Sequence, residues 1–239
     1  MSSHRKTSLA AGVLYLLTFV SIPTLALYGS VKGANYILGA GPDTGALVGA
    51  LLEIIVALAG VGTAVALFPV VKRQNEGIAL GFVASRTLEA AGTFASVACI
   101  LTIVTLRQEG AGAGALVTSH ALVALYDRLF LISQSLMPGV NAVLLGSLLY
   151  RARLVPRVLP LLGLIGAPLL VAADLAVLFD LIGRTSTPAV VTALPIALWE
   201  FSLGVWLVAK GFKPSAITAL YSRTADVDNG SLALGAAAR

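Results

Sequence analysis

The chain holds one cysteine, Cys99, and two histidines, His4 and His120, in 239 residues. A single cysteine excludes an intrachain disulfide, and so few sulfur and imidazole ligands exclude a tetrahedral Cys/His zinc site. Cys99 stands among Ala, Ile and Leu and reads as a small buried hydrophobe. Charge is equally scarce. Only 11% of residues are charged, against about 25% in a soluble domain. No phosphate loop, nucleophile–base arrangement or metal motif is visible, so no cofactor is implied. Gly41-x-x-x-Gly45-x-x-x-Gly49 reads as helix packing instead of phosphate binding.

What is present is apolar. Hydrophobic residues make up 58% of the chain and the mean hydropathy is +0.94. The apolar runs exceed the ~20 residues a helix needs to cross ~30 Å of hydrocarbon. They are continuous and rich in Leu and Ala, which excludes the short alternating segments of a membrane β-barrel. The fold class is all-α: a polytopic membrane bundle of six transmembrane helices, its partner the lipid bilayer.

The spans are expected at 8–28, 45–71, 78–106, 116–150, 158–182 and 188–210. Residues 1–7 read as a cytoplasmic tail, 8–212 as the membrane domain, and 213–239 as a flexible cytoplasmic tail with a short helix near 215–222. Arg5 and Lys6 before an apolar run suggest a signal peptide. That run is too long and lacks a small-residue cleavage site, so it reads as a retained first span. Pro23 is expected to bend the first span and Pro138-Gly139 to kink the fourth. Asp43 or Thr44 is expected to cap the second.

Orientation follows from Lys and Arg. Eleven fall on the side of the N-terminus (Arg5, Lys6, Lys72, Arg73, Arg151, Arg153, Arg157, Lys210, Lys213, Arg223, Arg239) and three opposite (Lys32, Arg107, Arg184). This asymmetry places both termini in the cytoplasm and the protein in an inner membrane. Basic residues gather at helix ends and form no stripe, so the net charge of +5 implies no nucleic-acid partner.

Several ionisable residues lie inside the apolar runs: Glu53, Arg86, Glu89, Asp174 and Glu200, with Asp127 and Arg128 near the edge of another. One charge at the centre of a membrane helix costs roughly 2.5–3.5 kcal/mol, so such residues mark function by default. Residue counting puts Arg86, Glu89 and Glu200 near mid-depth, with Asp174 and Glu53 further out. Arg86 and Glu89 are three apart and share a helix face. Small residues continue those faces: Gly49, Ala57, Gly60 and Ala64 around Glu53, and Gly163 and Ala167 before Asp174. One shared polar cavity is therefore expected, with Trp199 beside Glu200 as its wall. The bland readings are a self-neutralising Arg86–Glu89 pair and an interfacial anchor at Asp127–Arg128. Five acids against two bases leave a surplus that must be neutral or face a cation or water.

The surplus fits two activities. The leading one is binding or translocation of a small solute or cation. The alternative is an acid–base enzyme acting on a lipid or isoprenoid, as in membrane terpene cyclases. Aromatic residues are only 7%, which weighs against a pocket that steadies carbocations on aromatic faces. A structural membrane subunit is the third reading.

Three segments carry a family resemblance: AGVLYLLTFVSIPTLALY at 11–28, ALFPVVKRQNEGIALGFVASRTLEA at 66–90, and LMPGVNAVLLGSLLYRARLVPRVLPLLGLIGAPLL at 136–170. The most specific element is the basic turn followed by Ala84-Ser85-Arg86-Thr87-Leu88-Glu89-Ala90. Over residues 8–212 the chain resembles a bacterial membrane family known as domain of unknown function 4386. The resemblance implies a multi-helix membrane protein, draws attention to Arg86 and Glu89, and implies no activity.

Overall fold

The computed structural model describes residues 2–222. Among them there is no strand, and six helical segments are long and apolar enough to cross a membrane: Ser3–Leu27, Thr44–Val71, Glu76–Gln108, Gly112–Ala152, Val158–Leu178 and Thr187–Ala209. Residues 214–222 form a further helix. The expected flexible tail beyond it lies outside the described residues.

The first span begins earlier than the apolar run. Ser2 Oγ accepts the Arg5 amide at 3.3 Å and starts a helix at Ser3, so the expected N-terminal tail is helical. Arg5 then reaches across to donate to the Leu207 and Val208 carbonyls at 3.0 and 2.5 Å. Those carbonyls belong to the last turn of the sixth span and have no partner further along their own helix.

Short turns force consecutive spans to run antiparallel side by side. Each span packs on the next in sequence, and the sixth packs back on the first, closing a ring. Small residues permit the approach. A Cβ at Gly12 would sit 2.8 Å from the Gly204 carbonyl, so the first and sixth helices touch backbone to backbone. One at Gly163 would lie 2.6 Å from the Trp199 ring. Outside the ring, Leu51, Leu58 and Val65 recur every seven residues as an exposed apolar stripe on the second span. Gly49, Glu53, Ala57, Gly60 and Ala64 are buried on the same helix. The apolar residues thus face outward as well as inward, the arrangement a helix needs when its solvent is hydrocarbon.

Two buried clusters lie at the two ends of the ring. Leu67, Phe82, Leu145, Leu149, Leu203 and Leu207 seal the end that carries the N-terminus. Tyr28, Val31, Tyr36, Ile100, Ile103 and Tyr126 pack at the other. The cavity lies between them.

Three local features differ from expectation. The first span loses α-helical geometry at Thr18–Ser21, a 3-10 turn that precedes Pro23, and resumes at Thr24–Leu27. Pro23 has no N–H for the Phe19 carbonyl, and the Ile22 amide takes that carbonyl at 3.2 Å. In the fourth span the distortion is a π-helical turn, Leu131–Leu136, just ahead of Pro138. The wider turn relieves the clash between the proline ring and the carbonyl four residues back. Asp43 stands at the N-cap of the second span but makes no capping bond. Its carboxylate accepts instead from Tyr36, from Arg107 Nη1 at 2.9 Å and from Gln108 Nε2 at 2.9 Å.

Candidate functional site

The ring surrounds a partly open cavity of about 330 Å³ to which every span contributes. Its polar lining comes from Thr18, Ser21, Arg86, Glu89, Thr93, Gln134, Ser135 and Glu200, and much of the rest is apolar, including Phe19, Leu170 and Ile196. Both backbone irregularities border it: Thr18–Ser21 of the first span, and Gln134 and Ser135 of the fourth. A π-turn rotates side chains off the regular helical register, which is why such turns recur at functional sites. Here it turns Gln134 and Ser135 inward.

Arg86 is the hub. It is 2% exposed. Nη1 donates to both oxygens of Glu89 at 3.2 and 3.0 Å. Nη2 donates to Glu200 Oε1 at 2.5 Å and to the Tyr15 hydroxyl at 3.4 Å. Asn141 Nδ2 donates to Glu89 Oε2 at 2.6 Å. The network therefore joins the first, third, fourth and sixth spans. Arg86 and Glu89 meet because they are one helical turn apart; Glu200 meets them because ring closure brings the sixth span round.

Two carboxylates share one guanidinium. Glu200 commits Oε1 to Arg86, while Oε2 accepts no hydrogen bond from any described residue and remains accessible where Glu200 lines the cavity. Arg86 Nε and Asn141 Oδ1 are buried without partners, and the Gln134 amide lies beside the Glu53 carboxyl. Buried polar atoms in native proteins are nearly always satisfied by protein or ordered water. Arg86 and Gln134 line the cavity, whereas Asn141 is fully buried outside its lining.

A known family covers this architecture. The family described as Domain of unknown function (DUF4386) matches residues 10–211, a stretch that reaches from the first span through the sixth. The chain belongs to it. No curated protein and no solved structure matches.

The other expected site residues of this DUF4386 protein lie apart from the hub, so the single convergence of acids is corrected. Glu53 is fully buried and accepts from Tyr126 at 3.1 Å and Tyr28 at 3.3 Å, outside the cavity lining. Asp174 accepts from Ser135 Oγ at 2.6 Å, with Oδ2 buried and unpartnered. Asp127 pairs with Lys32 at 2.5 Å and Arg184 at 3.2 Å near one end of the bundle, and Arg128 is exposed beside it. Trp199 is fully buried against Gly163 and is not among the lining residues. Its neighbour Glu200 points elsewhere because adjacent helical residues differ by about 100°.

Sequence reasoning missed Tyr15, Asn141 and Gln134 in this DUF4386 chain. Asn141 and Gln134 carried a signal: uncharged amides inside apolar runs are costly enough to need a partner.

Proposed function

We propose that this DUF4386 protein binds a small solute or cation in the central cavity and carries it across a bacterial inner membrane, with both termini in the cytoplasm. The observation that supports this most is the uncommitted Glu200 oxygen beside an arginine already shared with Glu89. Two carboxylates on one guanidinium leave one negative charge uncompensated when both are ionised. A cationic or hydrogen-bond-donating group next to Glu200 balances it, and the apolar lining favours a guest with an apolar body. Arg86 and Glu89 shape the pocket; Glu200 holds the guest. Passage requires the leucine-rich end cluster to part, since it closes the route from the cavity toward the basic side. The excess of Lys and Arg on that side supports the orientation.

The test uses purified protein in proteoliposomes and a panel of alkali cations and small primary and quaternary amines. Saturable uptake of one of them, absent with Glu200→Gln, is expected. Uptake identical in Glu200→Gln and wild type, or none for the entire panel, overturns the reading. Turnover of an added isoprenoid or lipid without uptake moves the assignment to acid–base catalysis.

A further inference from the structure

A second concavity lies at the sealed end of the ring, remote from the central cavity and independent of the reading above. It has a volume of about 520 Å³ and sits between the turn joining the fourth and fifth spans and the helix at 214–222. Its polar lining is Gln74, Arg151, Arg153, Arg157, Lys213 and Ser215, with no acidic residue among the described residues. We propose that this pocket binds the phosphate of an anionic phospholipid headgroup.

The backbone that carries these exposed arginines is held in place. Arg151 closes the last turn of the fourth span, and Arg153 follows in the left-handed region at φ 54°. Leu154 and Val155 are fully buried and pin the loop to the core. The Lys213 amide donates to the Leu154 carbonyl at 2.9 Å, so Lys213 and the helix after it are drawn against the same turn. Arg157 lies with its guanidinium 4.9 Å from the Tyr150 ring centroid.

Positive charge alone is explained by the positive-inside rule, which needs neither a pocket nor unpaired cations. The contrast with the opposite end is what carries the inference. There Lys32, Arg107 and Arg184 each pair with an aspartate, Arg128 alone lacking a carboxylate partner among the described residues. Arg151, Arg153, Arg157 and Lys213 pair with no carboxylate among the described residues and converge on one concavity. Guanidinium forks match the tetrahedral oxyanion of a phosphate, and Ser215 and Gln74 add neutral donors.

A lipid source, instead of a soluble phosphate, is indicated by the adjoining surface. Val158, Leu161, Ile165 and Leu169 run down the fifth span from the pocket as an exposed apolar stripe. A headgroup held by the arginines would lay its acyl chains along that stripe. Basic pockets at the cytoplasmic ends of membrane helices hold anionic headgroups by this combination.

The experiment uses the full chain in mild detergent and reads lipid retention by native mass spectrometry with phosphatidylglycerol, phosphatidylcholine and inorganic phosphate as probes. Phosphatidylglycerol is expected to bind in preference to phosphatidylcholine. Replacing two arginines, Arg153→Gln with Arg157→Gln, is expected to weaken it on the order of a hundredfold, from roughly 1.5 kcal/mol for each charge-assisted hydrogen bond lost. Lys6→Gln, an exposed cation outside the pocket, is expected to leave retention unchanged. Equal retention of the two lipids, an unaffected double variant, or an equal loss in Lys6→Gln overturns the proposal. Inorganic phosphate displacing phosphatidylglycerol at equal concentration overturns the lipid source. Should the double variant misfold, Arg153→Lys with Arg157→Lys keeps charge but loses the fork, and undiminished retention there overturns the guanidinium–phosphate geometry.

Discussion

Arg86 Nη2 lies 2.5 Å from Glu200 Oε1, and that contact ties the third span to the sixth across the ring. Neither helix is the other's sequential neighbour. The bond therefore measures closure of the whole bundle, where Arg86–Glu89, one turn apart, measures only local helix geometry.

Arg86→Gln is expected to destabilise the protein by about 3 kcal/mol, the lower end for a broken buried pair, because it leaves two partly buried carboxylates without their cation. Adding Glu89→Gln and Glu200→Gln removes those charges and is expected to recover most of the loss. Denaturant unfolding in detergent of the single and triple variants checks this. A triple variant less stable than Arg86→Gln alone would show that the carboxylates have value apart from their cation.

Glu53 depends on two phenols that the sequence places 25 residues before it and 73 after it. Each of Tyr28→Phe and Tyr126→Phe is expected to cost about 1–3 kcal/mol, the penalty for a buried acceptor left short of a donor. The double variant is expected to cost more than the sum, since it leaves the buried carboxyl with neither phenol. Glu53→Leu on that double background removes the polar group and restores stability. A thermodynamic cycle over these variants provides the measurement, and strict additivity would contradict a shared site.

Much of the fold could be read from composition and apolar run length, and part of the site from helical spacing. The six spans were legible because a bilayer demands a minimum apolar length regardless of tertiary partners. The Arg86–Glu89 pair was legible because a three-residue separation fixes adjacency on any helix. Glu53 and Glu200 looked alike, both acids inside apolar runs. Only packing separates them, giving one to tyrosines and the other to an arginine. Asp43 sat in capping position, yet Arg107, 64 residues away, competes for its carboxylate more effectively than the adjacent helix amides do. Burial beside a small-residue row shows that a side chain meets protein, without showing which protein group it meets.

Outside the spans, Asp43 gives a pH dependence. The Tyr36 hydroxyl, the Gln108 amide and the Arg107 guanidinium hold its carboxyl below the ordinary aspartate range. A depressed folded value means the loop contact stabilises above the unfolded aspartate value and fades as pH falls through the folded one. Wild type is therefore expected to melt higher than Asp43→Asn at neutral pH, with the gap closing on acidification below the usual carboxylate range. Melting curves from neutral to strongly acidic pH provide the check, and a gap that stays constant would rule out the carboxylate as its source.

Charge and space at the central cavity can be separated on one helix. Ala197 lines the cavity at its exposed mouth, whereas Leu198, also exposed, is not among the lining residues. Ala197→Phe projects a ring into the open volume without altering the Arg86 network, so folding is expected to survive while guest binding is lost at least tenfold. Leu198→Phe adds a ring to the same helix toward hydrocarbon, where Phe and Leu are both tolerated, and is expected to leave binding unchanged. Glu200→Gln keeps the space and removes the charge, so it is expected to spare neutral guests and release cationic ones. Equilibrium binding of the guest found by uptake, compared across the three variants, decides between them. If Ala197→Phe binds as wild type does, the guest occupies some other place, and the Glu200 effect must then be structural.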